Sequence, residues 1–578
     1  MISNSKKCRI RALDGFAWVP ILLFLTFSAG AATSRLWGDH GELWEPRGRL
    51  PDFSYAGYHA GESPIPTVPQ VASVKDHGCK GDGVTDDTRA FQAALDAAST
   101  GALLVPKGRY LLTGRLILRK SGVVIRGEGS GPDGTILFWS KSLQELTGVI
   151  YPWNWGTSGL LRLAPPATSV ATRAALAKTA DHPPSLDLAL GKLLTTVTAE
   201  AKRGDSTFEV SAATAIKAGQ YLVLTLTDPA DKSLNSHLHN GQGSNEYNQD
   251  MPLRWVVRAK AVIGNRITLS QPLRFDIRLI WKPVINGYSP IEESGIENLR
   301  FEFPDRTYPG HQLESGFNAF SLEGALNCWA RNIVIRNCDN GPSIEELSKH
   351  CSVLDLVQLP HATLAVDGHI SGHHGFSFNI NSHDNLLSGF DFKAVFIHGV
   401  SVGYNASGNV SRNGKGADLN LDHHSRSPFE NLYSNLDLGL GGSPFLPFSV
   451  GGGDALRSGA RGTVWNVRSA KGPVEPPPFA YVQYNVLGTT KDLMTQDREW
   501  LEILTGLTPA DLYQSQLERR LALAVSSRPR ITGMSSFSSV STQDGIRLFG
   551  RTGEDPHRNL AGRRAARHKR SPGASSRP

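Results

Sequence analysis

Short apolar runs, punctuated by glycine and polar turns, dominate the chain and predict many short β-strands. Between residues 71 and 129 these runs flank one helical pattern, in which Phe91, Ala94, Leu95 and Ala98 fall on the same face. Gly101 follows that pattern and is typical of a helix end. The strands expected around this helix are Val71–Val74, Ala102–Val105, Leu116–Leu118 and Val123–Ile125.

From Gly295 onward the chain repeats a short unit in which Asn or Asp precedes alternating apolar positions. Copies start at Asn332 and Asp355, and further copies start at Asn385 and Asn431. The interval from Asn332 to Asp355 fits one turn of a solenoid whose unit is roughly 20–45 residues long, and the interval from Asn385 to Asn431 fits two turns. One coil cannot bury its apolar face alone, so we expect stacked coils to share a continuous core, with polar side chains outside.

Two further regions show different patterns of hydrophobic and polar positions. The stretch Thr195–Pro283 predicts a small β-rich insertion, because three of its segments favour antiparallel strands: residues 205–210, 219–224 and 266–269. Beyond Asn485 the pattern becomes helical. The expected helices are Leu493–Leu504 and Ala510–Ala524, with Pro509 just before the second.

The charge distribution argues against a nucleic-acid-binding body. The whole chain carries a net charge of +7, but residues 1–31 contribute +3 and residues 557–578 contribute +7, which leaves −3 between them. A nucleic-acid-binding fold concentrates positive charge on its folded surface. The basic C-terminal tail is instead typical of a solvated, disordered segment.

The N-terminus predicts export. Basic residues precede an apolar run, Phe16–Phe27, and Ala29–Ala31 supply small residues suited to cleavage. This run is shorter than the roughly 20 residues that span a bilayer, so a signal peptide is favoured over a membrane anchor. We therefore expect a secreted protein, or a periplasmic one in a Gram-negative cell. Four cysteines would remain after cleavage, and their disulfide state is left open: Cys79, Cys328, Cys338 and Cys351.

The block between residues 71 and 129 carries a specific signature. It consists of Gly81–Thr88, Phe91, Ala94, Leu95, Val105–Tyr110 and Val124–Gly127. This signature resembles the N-terminal block of the pectate-lyase-like superfamily, of the rhamnogalacturonase and pectate lyase type. The resemblance implies an all-β fold, a right-handed parallel β-helix, whose open end is capped by the helix. The resemblance also implies action on a polysaccharide. Because the superfamily includes lyases, hydrolases and phage tail-spike proteins, the resemblance predicts the fold but leaves the reaction open.

Together these observations divide the chain into seven segments. The groove that binds substrate is expected on the second set of coils. The segments are a signal peptide (1–31), an extended lead-in (32–70), first coils with the capping helix (71–150), the β-rich insertion (195–290), further coils (291–485), C-terminal helices (486–526) and a disordered basic tail (527–578).

Histidines concentrate in the second set of coils. His350, His374, His398 and His423 recur at nearly equal intervals, each close to the length of one coil. With coils of that length the four side chains would stack in one column, and stacked polar residues line the elongated binding surfaces of solenoids. Chance spacing within a histidine-rich stretch is the alternative.

Two reactions suit the polar residues near this column. Hydrolysis of a glycosidic bond typically uses two carboxyl groups, for which Asp384 and Asp422 are the best pair. Elimination next to a uronate carboxylate needs a base and a cation instead. The expected catalytic residues are Asp422, His423, Asp384, His383 and Arg426. The expected substrate-binding residues are His374, His398, Asn381, Asn385, Asp418 and Arg412.

The expected function is that of a secreted enzyme that cleaves a polysaccharide, with the choice between hydrolase and lyase left open. Uronate-containing glycans are favoured as partners, whereas nucleic acid and stable membrane insertion are not expected. A non-catalytic glycan-binding or structural β-helix protein is the alternative. No cofactor is expected, with Ca²⁺ considered only for a lyase. A zinc site is disfavoured because His373 and His374 are adjacent, and adjacent strand residues point to opposite faces.

Overall fold

Two parallel β-sheets, built from strands far apart in sequence, form the body of the protein. The computed structural model describes residues 32–148, 159–166, 189–241, 251–361, 370–424, 426–446, 458–472, 474, 484–488, 500–502 and 506–526. The predicted signal peptide and the basic tail lie outside the described residues. All described residues belong to one unit, Met1–Ser526.

The larger sheet is parallel wherever its strands pair. The first coils stack on one another and the later coils follow, and the two sets meet where Gly295–Glu302 pairs with both earlier and later strands. Its strands are Gln70–Ser73, Asp82–Asp86, Gly101–Val105, Gly108–Leu112, Val123–Gly127, Thr135–Trp139, Gly295–Glu302, Trp329–Arg336, Ser352–Leu359, Leu386–Ser388, Asp391–Phe392, Val410–Arg412, Lys415–Gly416, Leu432–Ser434, Thr463–Trp465, Asn485–Leu487 and Trp500–Glu502.

The second sheet is also parallel. Its eight strands are Leu116–Leu118, Leu161–Leu163, Phe320–Leu322, Ser343–Ile344, Ile370–Phe378, Val395–Val402, Leu421–His423 and Phe445–Leu446. Two short parallel pairs stand apart from both sheets. They join Ala32–Thr33 to Leu507–Thr508, and Ile291–Glu292 to Ala325–Leu326.

Neighbouring strands are offset by one coil of chain. Trp329 pairs with Ser352 in the larger sheet, and His374 pairs with His398 in the second sheet. Parallel neighbours require a crossover connection, and here the remainder of each coil provides it. The chain therefore winds as a parallel β-helix.

The polar residue that starts three of the repeats has a conformational role. Asn298, Asn332 and Asp355 adopt φ angles of 55°, 54° and 53°. This left-handed region is unfavourable for most side chains but is several-fold enriched in Asn and Asp. In these three coils the Asn or Asp thus marks a bend of the backbone, whereas Asn385 and Asn431 are not among the residues with positive φ.

One apolar core runs through the coils and includes the N-terminal helix. This helix spans Thr88–Ala97, and its Phe91, Ala94 and Leu95 are buried in the core. Gln92, on the same helix, exchanges two hydrogen bonds with the backbone of Ile117, at 2.9 and 3.0 Å. Because Leu116–Leu118 is the last strand of the second sheet, Gln92 satisfies backbone groups at an otherwise unpaired edge. The remaining short helices are Leu143–Thr147, Ser233–Leu238 and the 3₁₀ turns Tyr58–Gly61, Val74–His77 and Leu279–Trp281.

The insertion is an antiparallel sheet with its own core. That core contains Leu224, Trp255 and Phe275, and Phe429 from the coils packs into it. The sheet begins at Leu190, slightly before the predicted start at Thr195. Its strands, in spatial order, are Leu190–Thr196, Val284–Tyr288, Tyr221–Leu226, Leu253–Ile263, Arg266–Leu269 and Thr207–Glu209.

The C-terminal region contains one of the two predicted helices among the described residues. Leu512–Ser526 is helical, as expected for the second. The predicted helix Leu493–Leu504 is wrong at its described part, because Trp500–Glu502 is a strand that pairs with Asn485–Leu487 and extends the larger sheet by one coil. The lead-in packs under the C-terminal helix, where Gln516 accepts a hydrogen bond from the Phe53 N–H at 2.8 Å.

The four cysteines of the described residues, Cys79, Cys328, Cys338 and Cys351, are buried and form no disulfide. A buried thiol of this kind behaves as a small apolar side chain. Among the helices of the described residues, none has the length and apolarity needed to cross a membrane.

Candidate active site

The outer face of the second sheet carries a row of polar side chains. Ser343 pairs in register with Ser377, Ser377 with Ser401, and Ser401 with Asp422. Strands in a sheet lie about 4.8 Å apart, so these side chains cross four successive coils. The row ends at a group of five side chains that we call the histidine cluster: His311, His373, His374, His398 and His424.

Asp422 lies at the centre of the histidine cluster. Its Oδ2 atom accepts a hydrogen bond from the Ser401 hydroxyl at 2.9 Å, and it lies 3.0 Å from Nδ1 of His424 and 3.1 Å from Nδ1 of His398. Burial alone would raise the pKa of the Asp422 carboxyl, but the two imidazoles outweigh burial and hold that pKa well below its usual range. The ionised carboxylate therefore orients both rings.

His374 stacks against His398. The two ring centroids lie 4.5 Å apart with 19° between the ring planes, and Nδ1 of His374 lies 3.1 Å from the Ser401 hydroxyl. Gly375 and Gly399 follow these histidines in the two strands. A Cβ atom on Gly375 would lie only 2.5 Å from the carbonyl oxygen of Gly399, so glycine is needed for the strands to approach this closely.

A loop at residues 303–319 supplies a second carboxylate. Oε1 of Glu314 lies 3.1 Å from Nδ1 of His373 and accepts a hydrogen bond from the Tyr308 hydroxyl. Asp339 fixes the loop by accepting hydrogen bonds from two of its backbone N–H groups, each at 2.9 Å. Burial would raise the pKa of Glu314, but the contacts with His373 and Tyr308 lower it overall. Glu314 and His373 thus repeat the arrangement of Asp422 with its rings.

Burial determines the protonation of the rings. It lowers the pKa of His311, His373, His374 and His398 below the usual value of imidazole. These rings are therefore neutral at pH 7. A neutral imidazole that carries its proton on Nδ1, facing a carboxylate, has its lone pair on Nε2. Such a nitrogen can accept a proton or bind a metal ion.

The predicted column of four histidines is half right. His374 and His398 are register partners, but His350 and His423 lie elsewhere because coil lengths vary. The coil after Lys349 is longer than its neighbours, since Lys349 pairs with His383, and this places His350 beside the insertion. The coil after Val402 is shorter, since Val402 pairs with His423 itself. His423 therefore points into the core, where its Nε2 lies 2.8 Å from the hydroxyl of Tyr484.

Asp384 lies in a different network. Its carboxylate pairs with Arg274 of the insertion and lies 2.5 Å from Nζ of Lys349. All three side chains are buried. Burial would raise the pKa of Asp384, but the two cations lower it well below its usual range. The structure therefore does not pair Asp384 with Asp422, and it gives Asp384 a role in joining the insertion to the coils.

His383 and Asn381 also contact the insertion rather than the cluster. Oδ1 of Asn381 accepts a hydrogen bond from the Arg254 N–H at 3.1 Å, and Nε2 of His383 lies 2.6 Å from the Arg254 carbonyl oxygen. Burial lowers the pKa of His383 to about 3. Both residues brace one strand of the insertion.

Asn385 and Asp418 have structural partners. Asn385 belongs to a buried ladder in which its amide donates to Oδ1 of Asn409 at 2.9 Å, and Asn409 in turn donates to Oδ1 of Asn431 at 3.1 Å. Asp418 closes a turn by accepting a hydrogen bond from the Gly442 N–H at 2.7 Å. Neither side chain is part of the histidine cluster.

The two predicted arginines are also placed elsewhere. Arg412 lies on the larger sheet, where its Nε is 2.9 Å from a carboxylate oxygen of Asp511 and fixes the start of the C-terminal helix. The guanidinium of Arg426 stacks 4.2 Å above the ring of Tyr404. Of the predicted site residues, the structure brings Asp422, His374 and His398 together.

The predicted site residues lacked three of the five members of the cluster, His311, His373 and His424. His424 lies two residues after Asp422, and alternation along the strand, with Asp422 outside and His423 inside, was the available signal. His311 and Glu314 lie in a loop without any repeat, and no pattern connects that loop to the later coils.

Comparisons with known proteins give a family match for the first coils. Residues 71–146 match the family model described as rhamnogalacturonase A/epimerase, pectate lyase-like. The N-terminal block is pectate-lyase-like. The resemblance predicted from the sequence is therefore confirmed for this block.

Individual relatives match over short stretches. Alginate lyase 7 of Azotobacter vinelandii is 42% identical over 91 residues, which cover 14% of this chain and 10% of that protein. Mannuronan C5-epimerase AlgE1 of the same organism is 37% identical over 91 residues, covering 14% of this chain and 6% of the epimerase. The chain thus spans a tenth or less of the length of these two relatives.

Among solved structures, the tailspike protein gp49 from Pseudomonas phage LKA1 is similar with a TM-score of 0.46 and 12% identity. The match covers 73% of this chain and 62% of the tailspike. The assignment of the fold rests on the strand register of the chain itself.

Proposed function

We propose that the protein is a polysaccharide-acting enzyme that removes the proton next to a uronate carboxylate and cleaves the adjacent glycosidic bond by elimination. The observation that supports this most strongly is the pair of buried carboxylates that hold histidines on one face, Glu314 with His373 and Asp422 with His398 and His424. A carboxylate behind an imidazole fixes its tautomer and stabilises the cation formed when the ring takes a proton.

The carboxylates themselves are poorly suited to hydrolysis. A glycosidase needs one carboxylic acid that is protonated at working pH and able to reach the leaving oxygen. Asp422 and Glu314 both have lowered pKa values and are 0% and 2% exposed. They are ionised and face histidines, so the rings are the groups left to move protons.

The proposed reaction needs one base for the carbon-bound proton and one proton source for the leaving oxygen. Nε2 of a histidine in the cluster takes the proton from the carbon next to the carboxylate, and the electron pair forms a carbon–carbon double bond. The bond to the leaving sugar oxygen breaks, and that oxygen takes a proton from water or a second ring. The products are a new reducing end and an unsaturated sugar.

The relatives agree with this class of chemistry. One is named a lyase of alginate and the other a C5-epimerase of mannuronan. Both names describe action on a uronate polymer, and epimerisation at C5 shares the proton-abstraction step. Return of the proton to the opposite side would give an epimer instead of cleavage.

A product analysis tests the proposal. The full chain is incubated with polymannuronate, polyguluronate and polygalacturonate, and with dextran as a neutral control. We expect ultraviolet-absorbing unsaturated products from at least one uronate polymer and none from dextran. Reducing ends without unsaturation would indicate hydrolysis and contradict elimination. Binding of a uronate polymer with no chemical change would support the alternative of a glycan-binding protein.

The variant Asp422→Asn tests the site. General acid–base groups typically contribute about 10²–10⁴-fold to rate, so kcat should fall by that range while KM changes little. Asp391→Asn is the matched control, because Asp391 lies on the other sheet, where it pairs with Lys415 at 3.4 Å. Activities are compared at equal concentrations of folded protein. A fully active Asp422→Asn variant would reject this site.

A further inference from the structure

Three side chains of the histidine cluster converge as metal ligands do. One nitrogen from each of His374, His398 and His424 lies within 4.8 Å of the other two. Two nitrogens that each bind zinc at about 2.0–2.1 Å lie about 3.4 Å apart at a tetrahedral angle. Binding of one ion would therefore draw these nitrogens together by up to about 1.4 Å.

The other nitrogen of each ring is already occupied by the protein. Nδ1 of His398 and of His424 face Asp422, at 3.1 and 3.0 Å, and Nδ1 of His374 faces the Ser401 hydroxyl at 3.1 Å. Metal-ligating histidines almost always hold a carboxylate, carbonyl or water through the second nitrogen. If the rings bind a metal in this way, the ligand atom of each ring is Nε2.

A second observation points to a cationic ligand. Oδ1 of Asp422 is buried and accepts no hydrogen bond from the described residues, and the same holds for Oε2 of Glu314. A buried charged oxygen without a donor is costly. Positive charge brought into the cluster would offset that cost.

We propose that His374, His398 and His424 bind one divalent transition metal ion of the zinc class, with Asp422 as the carboxylate behind two of the ligands. Three imidazoles leave a fourth position open, which is the pattern of catalytic rather than structural zinc sites. Imidazole favours zinc, copper, iron and nickel, whereas calcium requires oxygen ligands.

The site escaped prediction from the sequence because the strand is irregular. The pairing of Ile370–Phe378 with Val395–Val402 shifts in register between Ile370 and Gly372. Just after this shift, the adjacent His373 and His374 stack with their centroids 4.4 Å apart instead of pointing to opposite faces. The ligands then come from three neighbouring coils.

The metal would also divide the work of the cluster, an inference that rests on the proposed function. Three rings would bind the ion, two of them held by Asp422, so the loss of Asp422 would disturb both the metal site and the proton transfer beside it. The positive charge of the ion would face the uronate carboxylate. The binding of the metal itself does not depend on the reaction.

Metal content tests the proposal without any substrate. Untagged full-length protein is treated with a chelator, incubated with micromolar zinc, freed of unbound ion and assayed for zinc by atomic emission. We expect one zinc per chain, which excess calcium does not displace. X-ray absorption at the zinc edge should show about three imidazole nitrogens at about 2.0–2.1 Å. Failure to retain zinc, or a shell of oxygen or sulfur, would overturn the proposal.

Variants identify the ligands. His398→Gln and His424→Gln should abolish stoichiometric binding, and Asp422→Asn should weaken it about 10–100-fold. His40→Gln, at an exposed histidine, is the control and should bind as wild type. A second triad, His311 with His373 and His398, has similar spacing. Loss of zinc in His311→Gln with full binding in His424→Gln would overturn the ligand set.

The two proposals can fail separately. Zinc binding without unsaturated products would leave the metal site and reject the elimination reaction. Unsaturated products from protein that contains no metal, and whose rate does not rise with zinc, would leave the reaction and reject the role of the metal.

Discussion

A substitution at Asp384 tests whether this residue has a structural or a catalytic role. Its carboxylate contacts Arg274 and Lys349, whose side chains are 3% and 2% exposed. Asp384→Asn removes the charge that opposes both cations while nearly preserving shape. Removing one partner of a buried ion pair costs about 3–5 kcal/mol. Arg274 keeps Glu430 at 3.2 Å, so we expect the lower end of that range, about 3 kcal/mol.

Urea unfolding followed by tryptophan fluorescence measures this loss as a lowered midpoint. The matched control is Asp437→Asn, which breaks an exposed pair with Arg468, at 3.2 Å, and should cost about 0–1 kcal/mol. Activity per folded molecule should equal that of wild type for both variants. An Asp384→Asn protein with an unchanged midpoint and no activity would refute this reasoning and restore Asp384 as a catalytic residue.

Three further predictions concern the scaffold. Burial would raise the pKa of Glu430, but Arg203, Arg461 and Arg274 lower it to about 2. The ionised carboxylate therefore stabilises the fold above pH about 4.3, and this stabilisation is lost as the pH falls towards 2. Acid unfolding followed by circular dichroism should show the loss, and Glu430→Gln should make the stability depend less on pH in this range. Gly375→Ala places a Cβ atom 2.5 Å from a carbonyl oxygen and should lower the thermal midpoint, whereas Gly131→Ala, which meets no atom within 4 Å, should not. Asn409→Ala leaves buried amide partners unsatisfied and should cost about 1–3 kcal/mol in urea unfolding, and an unchanged midpoint would contradict the ladder.

The fold was predictable because it depends on local rules repeated many times. The repeat of Asn or Asp before apolar positions reflects needs that recur from coil to coil, either a backbone bend, as at Asn332 and Asp355, or a buried amide ladder, as at Asn385 and Asn431. The sequence indicated the insertion for the same reason, since strands such as Arg266–Leu269 carry their own pattern. The strand at Trp500–Glu502 was missed because its pairing partner, not its pattern, determines its structure.

The site was less predictable because it depends on coil length and on loops. The regular spacing of histidines correctly paired His374 with His398, but one longer coil and one shorter coil moved His350 and His423 out of the column. Asp384 was chosen for its chemistry, yet its cations come from the distant insertion and from the preceding coil. Glu314 became part of the site only through the folded position of its loop.

The effect of deuterium at the abstracted position on the reaction rate tests the central claim most directly. A uronate polymer carrying deuterium at the carbon next to the carboxylate is compared with the unlabelled polymer at saturating zinc, and the rate of unsaturated product is followed for wild type, Asp422→Asn and Asp391→Asn. We predict a slower rate on the labelled polymer, a rate at least about 100-fold lower for Asp422→Asn, and an unchanged rate for Asp391→Asn. Equal rates for Asp422→Asn and wild type would contradict the assignment of proton abstraction to the histidine cluster.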